Sequence, residues 1–383
     1  MRSLIVIGGW LFLLWLGLNT LGSLAPNLLP SAVTGAHDGI NRLDWTEIQS
    51  PLDDQNAQNA LHSWFLGAPL SSRPFSVRMA TIAPGDAELR LVRRRLTEHI
   101  IRIAPRNAHA RLVLAEIEFQ DGNFDRGALN ISNLLSIGGA NNSLLIDALV
   151  AMAAQTETRP AIEELLQGEP VWGARLVSNL AGKLDDTDLL IRWAIDYPQS
   201  HGDIVRALYN AGEVDEAYRA FLNFLPPGGN SDPTIPFDSR FLALDGSEPF
   251  NWRLSRNLAS FEPGGGLGVS FFGQGNPTIA QQVIHLTPGD YNIQASMDGN
   301  LYERGGKLRW TVQCISSKST QLALEVQELS SNKSSISGAF EVPAEDCDFQ
   351  WLQLSGVAGE FPRPVRARIH EVLITDVSDG PAQ

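Results

Sequence analysis

The chain has 383 residues, 43% of them hydrophobic and 19% charged, too apolar for a disordered polymer and, outside one segment, too polar for a multi-span membrane protein. At roughly 150 residues per domain it holds about two to three units, each long enough to bury a core. Its 29 Lys and Arg against 43 Asp and Glu leave a net charge of −14, a field that repels nucleic acid and anionic lipid and does not steer a polyanion in.

Residues 4–18, LIVIGGWLFLLWLGL, carry no charge, and the apolar character continues through Leu21, Leu24 and Ala25. About 22 helical residues at ~1.5 Å each reach ~33 Å, enough for one hydrocarbon core. Arg2 precedes the run and the next cation is Arg42, so the positive-inside bias keeps the N-terminus cytoplasmic and exports the rest. Residues 1–25 are expected to form a single transmembrane anchor. A cleaved signal peptide is the rival, with Ser23 and Ala25 as its small residues, but Pro26 would then follow the cut and fit an extended protease groove poorly. Residues 26–57, rich in Pro, Ser, Asn, Asp and Gly, read as a spacer and linker.

A helical region is expected over 58–225, with short amphipathic helices at 88–103, 108–120, 124–137, 143–154, 159–166, 173–181, 186–195, 202–210 and 214–224. Two stretches share one internal spacing. Leu112 and Ala115 precede the turn Asp121-Gly122-Asn123 and then Phe124, Ala128, Ile131 and Leu134. Ile204 and Leu208 precede Ala211-Gly212-Glu213 and then Val214, Ala217, Phe221 and Phe224. Small residues let paired helices approach, Gly closes the turn, and large apolar residues fill the next groove. The stretches GNFDRGA at 122–128 and GEVDEAYRAF at 212–221 resemble the best-marked part of tetratricopeptide repeats, although the Trp and Gly of that consensus are replaced. The resemblance implies an α-helical solenoid with a concave face for a protein partner.

After Leu225 the composition shifts. PPGGNSDPTIP at 226–236 opens a breaker-rich linker, taken as 226–240. Beyond it, 241–383 alternates in short segments, with strands expected at 250–253, 268–272, 280–286, 291–297, 307–315, 321–329, 338–342, 349–355 and 366–375. Leu308, Trp310, Val312 and Cys314 fall on one face of their strand, as do Tyr291, Ile293, Ala295 and Met297. Strands without intervening helices predict an antiparallel β-sandwich or jelly roll. Cys314 and Cys347 would close a loop across it in an oxidising compartment and remain two core thiols in a reducing one. Export favours the disulfide.

This strand-rich part resembles the galactose-binding-like jelly rolls of non-catalytic carbohydrate-binding modules, on its strand count, the Pro288-Gly289-Asp290-Tyr291 turn and the placement of Trp and Cys. The resemblance implies a sugar site that combines an exposed ring with amide, carboxylate or guanidinium groups. Asn251, Trp252 and Arg253, and Tyr302, Glu303 and Arg304, supply those types in loop-like positions and are the carbohydrate-binding candidates. Trp310 and Trp351, in alternating patterns, are assigned to the core. The layout of anchor, repeats and sandwich is similar to that of bacterial exopolysaccharide-associated proteins, which implies a single-pass inner-membrane protein with a periplasmic body.

Catalytic patterns are missing from the sequence: it contains no G-x-S-x-G, P-loop, H-E-x-x-H or EF-hand stretch. Gly264-Gly265-Gly266 has no following Lys-Ser/Thr and reads as a loop or bulge. Asp298, Asn300 and Glu303 offer oxygens for Ca²⁺, but a hairpin turn accounts for Asp-Gly-Asn. The seven histidines are dispersed, so no metal or cofactor is expected. Arg90, Arg93, Arg94 and Arg95 form the dense basic run, read as a solvated helix face opposite Leu89, Val92 and Leu96, with docking on acidic polymer or lipid as the alternative. The sequence thus predicts a non-catalytic, membrane-anchored envelope protein that binds a partner through helices and a polysaccharide through the sandwich. Its rivals are a purely structural scaffold and a polysaccharide hydrolase or lyase.

Overall fold

The computed structural model describes residues 72, 90–138, 142–226, 234–302 and 304–377. The expected anchor, the spacer and nearly all of 58–89 lie outside the described residues. Among the described residues, no helix is long and apolar enough to cross a membrane.

Nine α-helices and one 3₁₀ turn are described, and they precede ten strands: α1 Arg90–Ile103, α2 Ala108–Gln120, α3 Phe124–Gly138, α4 Ser143–Ala154, α5 Arg159–Leu166, α6 Gly173–Leu180, α7 Thr187–Ala194, the 3₁₀ turn Pro198–Ser200, α8 His201–Asn210 and α9 Val214–Phe224. Local chemistry sets their starts. The Asn107 side chain accepts from the Ala110 amide at 3.0 Å and Asp186 accepts from Leu189 at 2.9 Å, each satisfying an N-terminal donor that the helix leaves unpaired.

The α2–α3 and α8–α9 hairpins share one turn. The Gly122 amide donates to Phe119 and Asn123 to Glu118, and likewise Gly212 donates to Tyr209 and Glu213 to Leu208. Both glycines sit at positive φ, +77° and +87°, where a side chain is disfavoured. Ala115, Ala128, Ile131, Ile204, Leu208, Ala217 and Phe221 are buried as the spacing requires. Between the hairpins the regularity lapses: α5, α6 and α7 have 8 residues each, against 13 and 15 in α2 and α3. The described helices are paired hairpins of unequal length.

The arginine run is not a free basic face. Arg93 is buried with Thr97 and Ile100, and its guanidinium meets Glu116 at 3.0 Å. Arg94 reaches Glu118 at 2.7 Å and Asp121 at 2.6 Å, and Arg90 reaches Asp121 at 3.0 Å. Leu91 and Val92 are exposed instead. Acids that α2 places along its facing side decide which side of α1 turns inward, and apolar periodicity alone cannot register that.

The chain divides into two compact units at Leu176/Val177. The second unit contains α7–α9 together with the strands β1 Arg253–Leu254, β2 Ala259–Phe261, β3 Leu267–Phe271, β4 Thr278–His285, β5 Gly289–Asn300, β6 Lys307–Cys314, β7 Thr320–Val326, β8 Ser334–Val342, β9 Phe349–Val357 and β10 Val365–Asp376. These form two five-stranded antiparallel sheets, ordered β1-β4-β9-β6-β7 and β2-β3-β10-β5-β8, called the first and second sheet below. Their inner faces enclose Leu308, Trp310, Val312, Ile293, Met297, Leu352, Leu354 and Ile369. The alternation in β5 and β6 is that of a half-buried strand.

The outer face of the first sheet is covered as well. Tyr218 and Phe221 of α9 lie 5.2 Å and 5.5 Å from the Phe250 ring, Tyr218 lies 5.6 Å from Phe349, and Tyr209 of α8 meets Trp351 edge-on at 6.1 Å. Trp351 therefore sits outside the sandwich core, beneath a helix. The expected core position does not hold: Trp351 is only half-buried, and the core side of its strand is that of Leu352 and Leu354. Burial raises the Tyr209 and Tyr218 hydroxyl pKa values.

Half of the expected linker belongs to this unit. The Ile374 and Val372 amides donate to the carbonyls of Ile235 and Ser239, both at 2.9 Å, and Gly266 donates to Arg240 at 3.0 Å. The buried Asp238 carboxylate accepts from Leu242 at 2.8 Å and Leu244 at 3.2 Å; burial raises its pKa against the opposing pull of those amides. Pro, Gly and Asp density reports the lack of a regular ladder, not the lack of burial.

Cys314 and Cys347 are joined, with Cα atoms 4.9 Å apart. Beside them the buried Gln350 side chain accepts from the Leu286 amide at 3.0 Å and donates to the Leu286 carbonyl at 3.2 Å and to the Cys347 carbonyl. The bridge spans a sequence separation of 33, for which chain entropy gives about 3–4 kcal/mol. Cys314→Ala/Cys347→Ala is expected to lower the unfolding free energy of the sandwich by about that amount, measured by denaturant titration of Trp fluorescence; an unchanged midpoint would refute it.

At the α1–α2 contact, partial burial pushes the Asp121 carboxyl up, but hydrogen bonds from Arg94 and Arg90 more than offset it and hold the pKa below the usual value. Its contribution is complete above the ordinary aspartate value of about 3.9 and lost as the pH falls from there through the lowered folded-state value. Asp121→Asn should therefore speed amide exchange in α1 at near-neutral pH and leave acid conditions little changed. Equal loss at both pH values would contradict it.

Candidate binding edge of the sandwich

The six residues singled out from the sequence do not come together. Asn251 is buried, its side-chain amide donating to Leu244 at 2.9 Å and Gly246 at 3.2 Å while its oxygen accepts from the Trp252 amide at 2.7 Å. Trp252 is 5% exposed. Its ring packs 4.9 Å from Phe241 and 6.1 Å from Trp310, and Nε1 donates to the Asp238 carbonyl at 3.1 Å. Neither presents a face to a ligand, because the Asp238 turn and the Phe241 ring use them as core. Arg253 is exposed on β1, opposite Gln281 of β4. Glu303 lies outside the described residues.

Tyr302 and Arg304 lie in a loop. They follow β5, are exposed, and stand where three connections meet at one end of the sandwich: β3–β4, β5–β6 and β9–β10. The Phe361 amide donates to the Arg304 carbonyl at 3.1 Å, Gly359 donates to Gly273 at 3.4 Å, and Ala358 donates to the Asn276 side chain at 3.1 Å. The loops also touch without side chains between them. A Cβ on Gly359 would lie 2.2 Å from the Gly305 backbone, closer than atoms approach, so this residue must be glycine for the loops to close.

That closure holds three large rings outward, one from each loop. Phe272 is 60% exposed, Phe361 54% and Tyr302 46%. The Arg363 guanidinium lies 5.2 Å from the Tyr302 ring centroid, within cation–π range. Phe272 closes the strand expected at 268–272 and Phe361 lies outside any expected strand, and neither is among the carbohydrate-binding candidates; the signal that marks them is an aromatic residue directly beside Gly or Pro at a strand end, Phe272-Gly273 and Phe361-Pro362. Rings of this kind offer an apolar face to the C–H side of a pyranose, and Arg304 and Arg363 offer hydrogen-bond donors beside it.

A cleft lies at the other end, near the bridge. This cleft of about 1010 Å³ is lined in part by His285, Thr287, Tyr291, Asn292 and Asp376. Its one phenol ring, Tyr291, is buried, with the hydroxyl committed to the Thr287 carbonyl at 2.8 Å. It is a wide hollow without a stacking platform among its described residues. No cluster of His, Cys, Asp or Glu with metal-site geometry occurs among the described residues. On the outer face of the second sheet, His370, at the bulge of β10, meets Asp298 at 2.5 Å, so that carboxylate is engaged within the sheet.

No protein-family model matches the chain, and no curated protein matches it. Solved structures to which it is similar include a family 16 carbohydrate-binding module, 14% identical, over 31% of this chain and 81% of that one, at a TM-score of 0.24. Another is TmCBM61 in complex with β-1,4-galactotriose, 12% identical over 39% and 99%, at 0.25. A third is the CBM22-1 xylan-binding domain from Paenibacillus barcinonensis Xyn10C, 10% identical over 33% and 86%, at 0.26. At such identities and scores the ligand has to be argued from the edge itself.

Trp252→Ala is expected to cost about 3–5 kcal/mol of sandwich stability, as core tryptophan truncations do, while Tyr302→Ala leaves the thermal midpoint within the range of surface substitutions. Differential scanning calorimetry of the two variants checks this, and the reverse ranking would sink the placement of both residues.

Proposed function

We propose that this chain is a non-catalytic, membrane-anchored envelope protein whose sandwich holds a polysaccharide at the edge formed by Phe272, Tyr302 and Phe361, with Arg304 and Arg363 as donors. The observation that carries the reading is the set of three outward rings held by interlocked loops. Isolated exposed apolar residues are ordinary, but three exposed aromatics carried on three connections whose backbones are held together make a candidate binding patch. The helical hairpins supply the surface for a protein partner, and the role is in exopolysaccharide assembly or export. The Cys314–Cys347 bridge supports a periplasmic body, since such bonds persist in oxidising compartments, and the uncharged run at 4–18 supports the anchor.

A second reading, a structural scaffold, has its own support. The aromatic layer of Tyr209, Tyr218, Phe250, Phe349 and Trp351 fastens the last helical hairpin to the first sheet, as a module used to brace helices requires. Affinity electrophoresis of the full chain in gels cast with different polysaccharides separates the two. Binding predicts retardation on at least one polymer, with Tyr302→Ala and Phe361→Ala each weakening it about tenfold or more, as truncation of an aromatic anchor does. Mobility unchanged on every polymer, with a native melting transition, would leave the scaffold.

A further inference from the structure

The charge of the binding edge opposes that of the chain, and it bears on which polysaccharide fits there. Against a net charge of −14, the rim carries Arg304 next to Tyr302 in sequence, Arg363 over the Tyr302 ring and Arg366, the second residue of β10, all three exposed. The register sets Arg366 opposite Ser270 of β3 and Asn300 of β5, so both cross-strand neighbours are neutral. Among the described residues none of these three guanidiniums meets a carboxylate within ion-pair distance, although Arg90, Arg93 and Arg94 of α1 all do. The exposed acid of the same loops is Glu360. With Glu303, which the sequence places between Tyr302 and Arg304, the acids number two against three arginines, so the loops keep a net positive charge.

The −14 does not cancel this. The Debye length is about 8 Å at physiological ionic strength, so acids elsewhere on the chain are screened, while a group held against the rim feels the nearby guanidiniums. Arginine suits this task because its planar fork pairs with both oxygens of a carboxylate, and Tyr302 keeps Arg363 in place by stacking.

Resting on the polysaccharide reading above, we infer that the ligand of this edge is an anionic polysaccharide of the uronic-acid class, its pyranose faces on Phe272, Tyr302 and Phe361 and its carboxylates on Arg304, Arg363 and Arg366. The whole-chain field keeps polyanions from binding elsewhere, and the arginines select them at one place.

The test uses the full chain in detergent with two probes of equal length, polygalacturonate and the same polymer after reduction of its carboxyls to primary alcohols. Polygalacturonate is expected to bind, to weaken as salt is raised, and to lose about tenfold in affinity in Arg304→Gln/Arg366→Gln, the loss expected for charge-assisted hydrogen bonds. This variant spares the Tyr302–Arg363 stack and, being on the surface, the fold. The reduced polymer is expected to bind about tenfold more weakly than its parent. If the reduced polymer binds as well as the parent and Tyr302→Ala abolishes both, the anionic class is overturned and the sugar-binding edge stands. Binding of neither polymer, nor of any other polysaccharide in the electrophoresis, overturns both.

Discussion

Double coverage of the first sheet governs where this protein can present a ligand site. Its inner face packs on the second sheet through Trp310, Leu352 and Leu354, and much of its outer face lies under α8 and α9 through Tyr209, Tyr218 and Trp351. Burial of that much aromatic area on both sides contributes on the order of 25 cal/mol per Å², and it removes the sheet as a platform. The outer face of the second sheet and the two ends remain. One end is fastened by the disulfide and the Gln350–Leu286 bonds, and the other carries the exposed rings. Rigidity at one end and loops at the other is a common division of labour in sandwiches, because loops present side chains that strands hold in place.

The secondary structure was legible in the sequence because its signals are local. Helices at 108–120, 143–154, 159–166 and 214–224 have the bounds read from spacing and caps, and the strands fall within a few residues of their alternating patterns. The three-residue β2 escaped, since Ala-Ser-Phe at 259–261 is too short to alternate. The packing of the last helices on the first sheet was not legible for a different reason. Composition changes at 226, but the packing of α9 onto the first sheet depends on Phe250, Phe349 and Trp351, far along the chain from Tyr218 and unmarked by any local pattern.

The candidate site shows the same division between local and distant information. Trp252, Asn251 and Arg253 looked like a ligand triplet because the right side chains stand together in a loop, yet the Asp238 turn, fourteen residues earlier, takes the indole N–H and draws the ring into the core. Tyr302 and Arg304 stayed outside because their loop is braced by glycines of other loops, Gly273 and Gly359. A residue type in a loop indicates what it can bind. Burial decides whether it does, and burial is set by partners that a sequence window does not contain.

Charge needs the same distinction of scale. The surplus of acids argued against polyanions, and for the chain as a whole that argument holds. It fails locally because Coulomb interactions in salt solution reach only about a Debye length, so a rim of arginines within that distance of a bound sugar outweighs a larger number of carboxylates beyond it. The arginines of α1 make the contrast plain. Arg90, Arg93 and Arg94 form the denser run in sequence, yet Glu116, Glu118 and Asp121 neutralise them. Arg304, Arg363 and Arg366 are scattered in sequence and face no described carboxylate within ion-pair distance. The positive surface at this edge is thus one the topology assembles from separate loops, and no single stretch of the sequence contains it.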